Sequence, residues 1–134
     1  MKGLTMTKLR VILGVIAFSQ FALGILCIFA ANFFFTSIGL SAPPPNNNFM
    51  IGMLGARFLA YGFGLVVLAR QNEPSRFWMW NMVGIQAIDL LLGLFYTVNG
   101  TLGLSTSAFP MFNAAAFAIL LALFIPRTQN GAPA

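Results

Sequence analysis

Two ionisable side chains, Arg57 and Asp89, lie inside long apolar runs, and any chemistry in this chain has to start from them. An ionisable group at the centre of a bilayer-spanning helix costs at least about 2.5–3.5 kcal/mol by insertion scales, so each needs a partner or a polar cavity. Opposite charges at one depth remove much of each other's desolvation cost. Such a pair can be a structural clamp that fixes helix order and register. Open to a ligand, an ion or a lipid head group, the same pair is instead a polar binding site. Gln20, Gln86 and Tyr61 extend this candidate intramembrane cluster.

Other reactive groups are scarce. The chain has no histidine, one cysteine and two acidic residues. That excludes imidazole-ligated pigments, histidine general bases and histidine metal sites, and leaves almost nothing for nucleophilic or metal chemistry. Cys27 sits in an apolar run and reads as a small packing residue, with no second thiol for a disulfide or a Cys-pair redox centre. The glycines from Gly52 to Gly64 lack the spacing and the strand-to-helix context of a phosphate loop. The expectation is a protein that is not an enzyme, with no catalytic, cofactor-binding or metal-binding residues.

The elements that must position Arg57 and Asp89 are read from the apolar runs. With 59% apolar and 7% charged residues in 134, the chain is one domain whose solvent is lipid. The runs predict an all-α, integral membrane four-helix bundle with spans at about 11–31, 49–69, 77–98 and 108–125. The first is too long for a cleavable signal peptide. Between the first two spans, Asn32–Asn48 reads as a loop, because Pro43-Pro44-Pro45 cannot continue a helix and favours a stiff extended chain. Arg70–Arg76 is a compact polar turn that can join only antiparallel neighbours. Pro126 is expected to break the fourth span.

The net charge of +5 does not make a nucleic-acid binder, because no basic stripe interleaves with exposed aromatics. The basic residues are instead an orientation signal. Lys2, Lys8 and Arg10 precede the first span, Arg70 and Arg76 lie between the second and third, and Arg127 follows the fourth. The other two loops have none, which predicts both termini on the cytoplasmic side and contact with anionic lipids there. Trp78 and Trp80 suit the head-group level at the start of the third span.

Within this frame Arg57 is eight residues from the outer end of the second span and Asp89 nine from that of the third, roughly 12 Å and 13.5 Å deep at 1.5 Å per residue. Gln20 falls at about that level. Gln86, Asp89, Gly93 and Tyr96 share a helix face by their spacing, and Tyr61, one turn from Arg57, can donate to Asp89 or face lipid. Gly52, Ala56, Ala60 and Gly64 form a small-residue stripe, with Gly55 and Gly62 beside it. Such a stripe strengthens helix packing in membranes, first within the bundle and alternatively against another chain.

The run Arg57-Phe58-Leu59-Ala60-Tyr61-Gly62-Phe63-Gly64, with Asp89 and four spans, resembles small bacterial DoxX-like membrane proteins. The resemblance covers the overall layout. It implies an accessory subunit of the bacterial inner membrane, some members of that group being associated with quinone-linked oxidoreductase complexes, and it transfers no catalytic residue. The leading expectation is therefore a non-catalytic accessory or structural subunit whose partners are other membrane subunits and lipids. Alternatives are a small homo-oligomeric transporter or channel with Arg57, Asp89, Gln20 and Gln86 along its path, and a lipid or quinone binder.

Overall fold

A computed structural model describes residues 2–125, with side chains from Met6 onward. Over these residues every regular element is a helix: α1 (Lys2–Phe29), α2 (Ala31–Ser37), a 3-10 turn (Pro45–Asn47), α3 (Asn48–Arg70), α4 (Arg76–Val98) and α5 (Leu104–Phe124). Four helices, α1, α3, α4 and α5, are long and apolar enough to cross a membrane. The expected break at Pro126 and the basic Arg127 lie outside the described residues.

Three boundaries differ from the sequence reading. α1 starts well before residue 11, because Lys, Leu, Met and Arg are good helix formers and extend the span toward water. The segment expected to be all loop opens with α2. There the Thr36 hydroxyl donates to the Asn32 carbonyl at 2.8 Å and that of Ser37 to Phe34 at 2.7 Å. Gly39, at φ 83°, then ends the helix: its N–H donates to Thr36 and that of Leu40 to Phe35, satisfying carbonyls that the helix end leaves free. Pro44, at φ −61° and ψ 148°, continues in the extended form expected of the proline run. α5 begins at Leu104 rather than 108, since the Ser107 hydroxyl bonds back to the Gly103 carbonyl at 3.2 Å and fits a first helical turn.

The long helices run up and down as two close pairs. α1 and α3 touch backbone to backbone: a Cβ built on Gly24 would lie 2.9 Å from the Gly55 carbonyl oxygen, one on Gly55 2.9 Å from that of Gly24, and one on Gly62 3.2 Å from that of Ala17. In lipid, where apolar surface gives no water-driven attraction, such close approach is what makes van der Waals packing strong. α4 and α5 pair through Met111 over Gly93 and a 2.7 Å hydrogen bond from Thr97 to Ser107.

The two pairs meet at the end that carries the α3–α4 turn. Leu9, Leu13 and Ile16 of α1, Leu65 and Leu68 of α3, Met79 and Met82 of α4 and Leu121 of α5 form one buried core there. Beyond Gln86 no residue of α4 is buried. In that half, long side chains rather than close backbones join α3 to α4.

Candidate functional site

Arg57 and Asp89 meet across α3 and α4. One guanidinium nitrogen, Nη2, donates to both carboxylate oxygens, at 2.7 Å to Oδ1 and 3.0 Å to Oδ2. Arg57 is nine residues from the start of α3 and Asp89 nine from the end of α4, about 13.5 Å along either helix. The register has a simple origin: each residue is also thirteen positions from its end of the intervening turn, at Arg70 and Arg76.

The pair is only partly enclosed by the bundle. The Arg57 side chain is 45% exposed and that of Asp89 31%, at a depth where hydrocarbon would surround them. Arg57 also holds its partner through a single nitrogen. A guanidinium carries five N–H groups on three nitrogens, and Nε and Nη1 donate to no described residue. A carboxylate offers about four lone-pair sites, so Asp89 likewise has capacity left.

The remaining polar residues fall differently from the sequence reading. Tyr61 neither reaches Asp89 nor faces lipid: it is buried, donates to the Met82 carbonyl at 3.3 Å and accepts from the Gln86 amide at 3.3 Å. This short ladder lies toward the core from the charge pair and satisfies the groups that hold α3 against α4. Gln20 is 5% exposed, in the α1 stripe Leu9, Leu13, Ile16, Gln20 and Cys27, and makes no hydrogen bond with Arg57 or Asp89. It matches them in depth without joining them, because depth along a helix does not specify azimuth around it. The expected α4 face also divides: Gln86 is buried, Gly93 packs on α5 and Tyr96 is exposed.

A further correction concerns Gly52, Ala56, Ala60 and Gly64. Ala56 and Ala60 are exposed, a Cβ on Gly52 would meet nothing within 4 Å, and one on Gly64 would meet the Met82 methyl of α4. The contact with α1 is made by Gly55 and Gly62, which lie on an adjacent face. Their seven-residue spacing is visible in the sequence, but two small-residue faces on one helix are equivalent until the neighbouring helix is placed.

Comparison with known protein families, with curated proteins and with solved structures finds no match. The site is therefore read from its own geometry. Two open clefts, of about 210 Å³ beside Cys27 and Asn48 and about 380 Å³ between Ser37 and Pro110, lie at the end opposite the core, and neither is lined by Arg57 or Asp89. The pair is thus a surface feature at mid-membrane depth rather than the wall of either cleft.

Proposed function

We propose that this chain is a non-catalytic accessory subunit of a larger membrane assembly, and that the assembly covers the Arg57–Asp89 pair. The observation that carries this reading is the pair's position: opposite charges 45% and 31% exposed, far from either end of a membrane-spanning bundle. Acyl chains cannot solvate a carboxylate or the unused N–H groups of a guanidinium, whereas another polypeptide can supply both hydrogen bonds and an apolar surround. The open ridge of Gly52, Ala56 and Ala60 beside Arg57 supports it, since small residues let a further helix approach closely. So does the small size of every loop between the helices.

In this reading the termini and the α3–α4 turn are cytoplasmic, by the placement of the basic residues, and Phe18, Phe29, Phe63 and Leu123, all exposed, contact lipid. A bacterial inner membrane and a quinone-linked complex are what the family resemblance adds. Mild-detergent extraction from native membranes, with identification of co-purifying proteins, tests the proposal. A constant set of partners, lost on Ala60→Leu, is the expected result; a chain that always runs alone at its own mass contradicts it.

A further inference from the structure

We propose that the exposed α3–α4 face docks a second copy of this chain, the two Arg57–Asp89 pairs meeting across a two-fold axis near the middle of the membrane. This names one partner within the assembly proposed above and rests on that reading for the premise that protein covers the pair.

Charge complementarity favours a second copy as the occupant. Each pair is neutral, yet each retains both kinds of hydrogen-bonding capacity: Nε and Nη1 of Arg57 as donors, and the remaining lone pairs of Asp89 as acceptors. Unused donors and acceptors therefore stand side by side on one patch. A two-fold contact sets a patch against itself, so that Arg57 of one copy can donate to Asp89 of the other and the reverse. The resulting cluster of four charges is neutral. A foreign helix that brought a carboxylate to Arg57 would leave a net negative charge in low dielectric, and one that brought a cation to Asp89 a net positive charge.

Shape agrees with charge. Gly52, Ala56 and Ala60 run at four-residue spacing beside Arg57, with nothing within 4 Å of a Cβ on Gly52. Two such ridges facing one another bring backbones close enough for a guanidinium to reach across. Neither ridge is used by α1, which occupies the Gly55 and Gly62 face.

The test uses the full-length chain in native membranes, in a Cys27→Ala background. Ala60→Cys should give a disulfide-linked dimer on mild oxidation, while Phe18→Cys, exposed on α1, should not. Equal yields, or none from Ala60→Cys, overturn the proposal. Separately, Arg57→Asp and Asp89→Arg chains with different tags are co-expressed. Each alone sets like charges together, whereas a mixed pair restores a neutral cluster, so mixed capture should exceed like capture by about tenfold or more. Mixed capture no greater than like capture overturns it. A dimer without any other protein leaves this inference standing and removes the wider-assembly reading. A foreign protein attached at Ala60 in place of the dimer does the reverse.

Discussion

Adding one methyl group at Gly55 should loosen the whole bundle, although the change is small and apolar. In the Gly55→Ala chain the new Cβ would sit 2.7 Å from Cγ1 of Ile28, 2.9 Å from the carbonyl oxygen of Gly24 and 3.1 Å from Cβ of Cys27. Ile28 can change rotamer, but the Gly24 oxygen belongs to the α1 backbone and can retreat only if the two helices separate by several tenths of an ångström. Overpacking of this kind costs about 1–3 kcal/mol, or roughly 5- to 150-fold in the unfolding equilibrium. Gly52→Ala is the internal control, because its Cβ meets nothing within 4 Å and alanine is the better helix former by about 0.5–1 kcal/mol. Reversible SDS unfolding in mixed micelles, followed by fluorescence of Trp78 and Trp80, measures both. Gly24→Ala should cost a similar amount, and the double change less than the sum, since the first separation makes room for the second methyl. If Gly55→Ala proves as stable as Gly52→Ala, α1 and α3 do not meet at Gly24 and Gly55.

The charge pair gives a different pattern. Arg57→Leu or Asp89→Leu alone should destabilise the chain by about 2.5–3.5 kcal/mol in the same assay, the double change by less than either, because a single change strands one charge. Additive losses would show that the two groups do not depend on each other. Tyr61→Phe should cost about 1–2 kcal/mol by freeing the Met82 carbonyl and the Gln86 amide, and an unchanged unfolding midpoint would remove that ladder from the account. Cysteines introduced at Asn47 and Lys2 should be labelled from opposite sides of the membrane, since one span separates them; labelling from the same side refutes the topology.

What could be read from the sequence was whatever depends on distance along a helix. Long apolar runs bounded by Lys, Arg, Pro and Asn specify four spans, and the short Arg70–Arg76 turn forces α3 and α4 to be antiparallel, so Arg57 and Asp89 must share a depth. Azimuth was not legible. Nothing local distinguishes the Gly52, Ala56, Ala60 face of α3 from the Gly55, Gly62 face, and only the placement of α1, with Gly24 against Gly55 and Ala17 against Gly62, decides between them. For the same reason Gln20 and Tyr61, at nearly the right level, are buried while the charges stay partly exposed. The boundary errors are of another kind: Phe33 to Phe35 and Ser105 to Ser107 read as loop by neighbouring Pro and Gly, but hydroxyl-to-carbonyl bonds within the helix make their turns self-sufficient.

The central claim is that protein, not lipid, covers Arg57 and Asp89. A photo-activatable amino acid placed at position 60, irradiated in native membranes and compared with one at position 18, asks this directly. Protein adducts at position 60, with lipid adducts dominating at position 18, are the predicted result. Lipid adducts alone at both positions would contradict it, because they would mean that the charged face of the bundle stands open to the bilayer.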